Sequence, residues 1–227
     1  MDLDTLKARY PGLPYIAPFV LFMLLLAAQR YNPIPPAIEF PLRLAILGGA
    51  LWFFSRDVIE LRSHHLIPSA CIGIGVFVLW VLPDELFPHY RQHWLFQNAL
   101  TGTLQSSLPS EAHSDSLILA WRSLRAVLLV PIIEELFWRA WLMRWMINPR
   151  FDEVRLGAYS HQAFWVTAVL FASEHGPYWD VGLAAGIVYN WWMVRTRSLG
   201  DCILAHAVTN ACLCGYVIAT HKWEYWL

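Results

Sequence analysis

Apolar runs of membrane-spanning scale, each stopped by proline or by charge, constrain this chain more than any other feature. A helix needs about 20 mostly apolar residues to cross the hydrocarbon of a bilayer. Runs approaching that length lie at 13–29, 42–54, 67–82, 116–146, 161–174, 181–194 and 199–220. Their stops are the NPIPP turn at 32–36, Arg56, Pro83 with Asp84 and Glu85, Asn148-Pro149, His175-Gly176-Pro177, and Arg195 with Arg197. Proline cannot continue a helix without losing a backbone hydrogen bond, so Pro131 inside the longest run leaves two counts open. The spacing predicts seven spans, or eight if 116–146 breaks into two helices. The expected fold is all-α, a polytopic transmembrane bundle of about seven to eight membrane helices. It forms one integral membrane domain over 1–227, with the motif-bearing core at 116–220.

Composition agrees with membrane burial. AVILMFWYC residues supply 57% of the chain and DEKR residues 15%, against about 25% charged in an average globular protein. With 16 Lys+Arg against 17 Asp+Glu there is no basic surface for nucleic acid. Cys71, Cys202, Cys212 and Cys214 form no CxxC pair, which argues against a disulfide framework or a structural zinc site. The N-terminal MDLDTLKARYPGLPY lacks the pattern of a secretory signal, so the first apolar run is expected to stay as an anchor. Lys and Arg collect at cytoplasmic span ends. With the N-terminus inside, nine of them (Lys7, Arg9, Arg56, Arg62, Arg144, Arg150, Arg155, Arg195, Arg197) flank the inner ends. Six (Arg30, Arg43, Arg91, Arg122, Arg125, Lys222) flank the outer ones.

Ionisable groups inside hydrocarbon cost at least about 2.5–3.5 kcal/mol each, so they mark function by default. Glu134, Glu135 and Arg139 sit within LLVPIIEELFWRAWLMRW. Glu135 and Arg139 are four apart, the orientation in which an acid preceding a base pairs best on a helix. Glu134 is rotated about 100° away and is left unpaired. Glu174 and His175 end the fifth run, and His206 and Asn210 share one face of the last. The set offers a base, a proton carrier and oxyanion donors. Two His and a Glu also suit zinc, but HExxH is absent, and Phe171 stands where the reversed HxxEH needs its first His. Zinc is therefore the lesser alternative. His64, His65 and His89 read as solvated or interfacial, and Glu111, His113 and Asp115 as surface. Arg91 falls in the polar stretch 84–115 and is expected to be inert to any chemistry.

EELFWR at 134–139, FASEH at 171–175 and HAVTN at 206–210 together resemble the EExxxR, FxxxH and HxxxN motifs of the CPBP family, the CAAX proteases and bacteriocin-processing enzymes. The resemblance covers 134–210, about a third of the chain. It implies an intramembrane glutamic endopeptidase acting on a membrane-associated protein or peptide, with no cofactor. In it Glu134 and His175 activate water, His206 and Asn210 stabilise the oxyanion, and Glu135 and Arg139 brace the site. The FW of the first motif, the EHG of the second and the closing WEYW resemble a bacterial branch tied to exosortase-type sorting, which implies the bacterial inner membrane. The alternatives are a non-catalytic, immunity-type membrane partner of the same family, and a small transporter, for which no inverted repeat is visible.

Seven simple spans raise one conflict. They put His175 near the outer end of span five and His206 about 10 Å from the inner end of span seven, too far apart to share a site. A deeper or broken fifth span, or a different span count, would remove it.

Overall fold

The computed structural model describes residues 3–226 as helices and connecting loops, with no β-strand among the described residues. Helices α1 (Leu3–Arg9) and α2 (Leu13–Ala28) are followed by α3 (Pro36–Ser55), α4 (Leu66–Leu86), α5 (Ser116–Trp145), α6 (His161–Ser173), α7 (Trp179–Thr196) and α8 (Leu199–Thr220). Four of them, α3, α4, α5 and α8, are long and apolar enough to cross a bilayer, and α2 is a shorter apolar helix. The chain is an all-α integral membrane protein.

Pro131 does not split α5. Residues Arg125–Leu129 form a π-helical turn immediately before it, so the proline stands in the first turn of the α-helical segment Val130–Glu135. A widened turn removes the demand for the N–H that proline lacks and relieves its ring from the preceding carbonyl. A second π-helical stretch, Leu136–Leu142, follows at once. The paired glutamates thus occupy a short α-helical segment between two wide ones.

The fifth run differs more from a simple span. Helix α6 has 13 residues, about 20 Å at 1.5 Å per residue, well short of a hydrocarbon core of about 30 Å. It stops where Gly176 takes a φ of 54°, a left-handed conformation that glycine adopts without a side-chain clash. Pro177 then enters a single 3₁₀ turn, Gly176–Tyr178, that delivers the chain into α7. The α6–α7 turn therefore lies within the bundle, and this removes the conflict over His175 and His206.

Helices α4 and α8 run parallel. At their first turns the buried Asp201 carboxylate accepts the backbone N–H groups of His64 and His65 at 2.8 and 2.9 Å, and the Ser63 hydroxyl at 2.6 Å. These are donors that the start of α4 would otherwise leave unmet. At their far ends Glu85 of α4 meets Tyr216 of α8 and Lys222 just beyond it. Between those ties Gly73 packs against α8 so closely that a Cβ on it would lie 2.3 Å from the Ala205 carbonyl oxygen and 2.8 Å from Val208 Cβ. Small residues let membrane helices approach in this way. Gly75, two residues on, faces open space.

The contrast is testable. Gly73→Ala is expected to force α4 from α8 and destabilise the protein by about 1–3 kcal/mol, the usual range for overpacking. Gly75→Ala should leave the thermal midpoint in detergent unchanged or slightly raised, because a residue with a higher helix propensity gains there without a clash. Equal midpoints for the two variants would contradict the close α4–α8 contact.

Candidate active site

Helix α5 carries Glu134 and Glu135 in the α-helical segment between its wide turns and Arg139 in the second wide turn. Glu135 and Arg139 are fully buried, and Arg139 Nη1 donates to Glu135 Oε1 at 3.0 Å. The guanidinium also donates from Nε to Asn190 Oδ1 of α7 at 3.1 Å and lies 4.4 Å over the Phe171 ring of α6. Asn190 in turn donates through Nδ2 to the Phe164 carbonyl at 2.8 Å. One buried ion pair thus ties α5, α6 and α7 together.

The network extends to α8. His206 Nδ1 lies 2.9 Å from Glu135 Oε1. A carboxylate already holding an arginine is an acceptor, so Nδ1 carries the proton. The ring is stacked on Tyr189 at 5.1 Å, and the Tyr189 hydroxyl donates to Thr209 Oγ1 at 2.7 Å. His206 Nε2 is left pointing at Glu134, 3.9 Å from its Oε2. That is ion-pair range but beyond a hydrogen bond. Glu134 is buried, and its Oε2 has no hydrogen-bond partner among the described residues.

His175 is brought in by the short α6. Its Nδ1 lies 2.7 Å from the Phe171 carbonyl one turn back, an acceptor that fixes the proton on Nδ1 and leaves Nε2 with a lone pair. Its ring packs on Phe171 and Trp80, with centroids 4.7 and 5.2 Å away. Beside it, Glu174 Oε1 accepts from Trp138 Nε1 of α5 at 3.0 Å. Glu134, Glu174 and His175 each present one ligand-type atom, all within 4.8 Å of one another. These three are the residues that could hold a metal ion. Asn210 donates through Nδ2 to the Ala126 carbonyl at 2.8 Å, in the π-helical turn of α5.

Glu134, Glu174, His175, His206 and Asn210 all line one cavity of about 440 Å³, within the usual size of a small-molecule or peptide site. The cavity extends from this cluster to Gly102 and Gln105 of the loop between α4 and α5, and to Tyr225 and Trp226 after α8. Glu135 and Arg139 stand behind its wall. The six residues singled out in the sequence are therefore gathered from α5, α8 and the α6–α7 turn.

The structure also adds residues. Asn190 looks like an ordinary interruption of an apolar helix until Arg139 is seen to need it. Trp138 reads as apolar bulk, and Tyr189 as part of an aromatic belt. Arg91 departs furthest from its expected inert role. It is buried, donating to Asp84 at 2.9 Å, to Asp180 at 2.7 Å and to the Pro177 carbonyl at 2.8 Å, with its guanidinium 4.2 Å over Tyr178. Burial opposes its charge, but the hydrogen bond and charge of Asp180, together with Asp84, outweigh that and hold the guanidinium above its ordinary pKa. It clamps the turn that carries His175. Only Asp84, seven residues before it, was near in sequence; Asp180 and the Pro177 carbonyl lie 89 and 86 residues on and gave no local signal.

Comparison with known proteins agrees with the motifs. Residues 116–212 match the family model described as Type II CAAX prenyl endopeptidase Rce1-like. Neither the curated proteins nor the solved structures yield a match. The matched segment, somewhat under half of the chain, contains every residue of the cluster, and it supports the likeness of the motif-bearing core to the CAAX/CPBP family of intramembrane endopeptidases.

Proposed function

We propose that the protein is a glutamic-type intramembrane endopeptidase in which Glu134 and His175 activate water against a scissile peptide carbonyl. The observation that carries this reading is the contrast between two neighbouring acids. Glu135 Oε1 accepts from Arg139 and lies 2.9 Å from His206 Nδ1, away from the cavity lining, whereas Glu134 lines the cavity itself, its Oε2 without a hydrogen-bond partner among the described residues. A carboxylate held in that way is a base.

Glu134 takes a proton from water while the hydroxide oxygen bonds to the carbonyl carbon, with the lone pair on His175 Nε2 orienting the same water. The oxyanion that forms is met by Asn210 Nδ2 and by His206 Nε2. The second donor requires a proton on Nε2 as well as on Nδ1. Collapse breaks the C–N bond, and the proton that Glu134 took from water passes to the leaving nitrogen, which restores the Glu134 carboxylate. Glu135 and Arg139 hold His206 in place and touch no reacting atom.

The substrate is a membrane-associated protein or peptide, and the chain works as a single domain in a bacterial inner membrane. The cavity reaches the end of the bundle where α5 begins and α8 ends. The cationic residues are in the minority there, so the count that sets orientation puts substrate access on the extracytoplasmic side.

One observation favours a second reading. Three ligand-type atoms within 4.8 Å, with His175 Nδ1 on a backbone carbonyl, make the set and tautomer of a metal-binding imidazole. In that reading the water is activated by a bound cation.

Three outcomes are expected. Mass spectrometry of membranes carrying the wild type should show new protein termini that vanish with Glu134→Ala; identical termini from both, with the variant folded and abundant, would make Glu134 structural. Treatment with 1,10-phenanthroline should leave the termini in place; their loss, with recovery on adding zinc, would establish the metal reading. Arg91→Ala should slow cleavage by about 100-fold, the scale on which a displacement near 1 Å acts, with Glu134 untouched; full activity would show that the clamp on the α6–α7 turn does not position His175.

A further inference from the structure

Helix α7 finishes at the end of the bundle where α5 stops and α6 begins, and its last turns have two different faces. Trp192 and Met193 are buried. Trp191 and Arg195, one helical turn apart, are exposed, as is Arg197 just past the helix. Together with Val194 these three line an open recess on the outer face of α7. It shares no lining residue with the catalytic cavity.

Trp191 is one of three exposed tryptophans at this end. Trp145 closes α5, and Trp165 stands in the second turn of α6. Amphipathic rings exposed on neighbouring helix ends mark the boundary between acyl chains and headgroups. From Trp191 to Arg195 the helix rises about 6 Å. With the indole at the boundary, the guanidinium therefore stands at the level of the lipid phosphates, its stem lying along the apolar side.

The charge at this level is not met from within the protein. Neither Arg195 nor Arg197 forms a salt bridge among the described residues, whereas Arg56, a cation of the same end, faces Asp57 at 3.6 Å. The free carbonyls that end a helix would oppose an anion, but two of them are already taken. Met193 accepts the Arg197 N–H at 2.8 Å, and Trp192 accepts the Thr196 hydroxyl at 2.8 Å. The loop before α6 presses on the same spot. A Cβ on Gly157 would lie 2.5 Å from the Met193 carbonyl oxygen and 2.8 Å from Arg197 Cγ, so the base of the Arg197 side chain is held in place.

We propose that this recess binds the headgroup of an anionic phospholipid, with Arg195 and Arg197 on the phosphate and Trp191 against the glycerol and upper acyl carbons. Arginine suits phosphate because its planar fork offers parallel N–H donors. A zwitterionic lipid brings an ammonium with its phosphate and gains less from two adjacent cations. The lipid braces the end of a helix whose preceding residues, Tyr189 and Asn190, stack on His206 and hold Arg139. The site is independent of how water is activated in the catalytic cavity.

The test titrates the full-length protein, in uncharged detergent, with phosphatidylglycerol or with phosphatidylcholine of identical acyl chains. Bound lipid is read by native mass spectrometry and the thermal midpoint is followed alongside. The wild type is expected to bind phosphatidylglycerol more tightly, by about 5-fold for each arginine and so about 25-fold for the pair. Its midpoint should rise with that lipid alone. Arg195→Gln and Arg197→Gln should each remove about 5-fold of the preference, and the double variant all of it, while Arg56→Gln keeps it. Inorganic phosphate at the same concentration should leave the midpoint unchanged; a rise matching that given by phosphatidylglycerol would replace the lipid by a free anion and overturn the assignment. Equal binding of the two lipids by the wild type, or an undiminished preference in the single variants, would overturn it as well.

Discussion

The ion pair between Glu135 and Arg139 is the interaction on which the rest of this structure depends. Both side chains are fully buried, and removing one partner of such a pair leaves a charge whose exposure to the apolar interior typically costs about 3–5 kcal/mol. The cost is met by geometry. Arg139 donates to Glu135 and Asn190 and faces the Phe171 ring, while Glu135 also takes the Nδ1 proton of His206. Each contact fixes another helix, so the charges cannot be satisfied unless α5, α6, α7 and α8 are in register. A buried polar network of this kind gives one arrangement where apolar packing alone would tolerate several.

The same network sets the chemistry. His206 has its proton committed on the Glu135 side, so the nitrogen facing the cavity is decided before any substrate arrives. His175 likewise has its Nδ1 proton fixed, by a backbone carbonyl on its own helix. With both rings constrained, Glu134, His175, His206 and Asn210 line the cavity together. An enzyme gains most from groups already oriented toward developing charge, since no reorganisation is then needed during reaction. The wide turns of α5 contribute to this. They leave the Ala126 carbonyl accessible to Asn210 and carry Pro131 without a break.

Much of this was legible in the residues. The i, i+4 spacing of Glu135 and Arg139 gives their pairing from helix geometry, and the rotation of Glu134 away from them follows from the same 100° step. The shared face of His206 and Asn210 is equally local. Asn190, Trp138 and Arg91 were not legible, because their importance lies in partners 36 to 89 residues away. Nothing in the spacing of one helix says which polar group on another will need it. Gly73 and Gly75 looked alike in the sequence and differ in the structure, since only one faces α8.

What the amino-acid sequence determined by itself was the solvent and the secondary structure: apolar runs too long for a soluble surface, helices bounded by proline and charge, and acids that hydrocarbon would not tolerate without a purpose. These follow from transfer free energies and from backbone hydrogen bonding, which act residue by residue. The depth at which α6 stops was decided only by tertiary structure. A run of apolar residues before His175-Gly176-Pro177 fits a full span or a 13-residue half-span equally well. The choice depends on Arg91 holding the Pro177 carbonyl and on α7 returning beside α6. That choice lifts His175 to the level of Glu134 and makes one site out of groups that a row of simple spans would have kept apart.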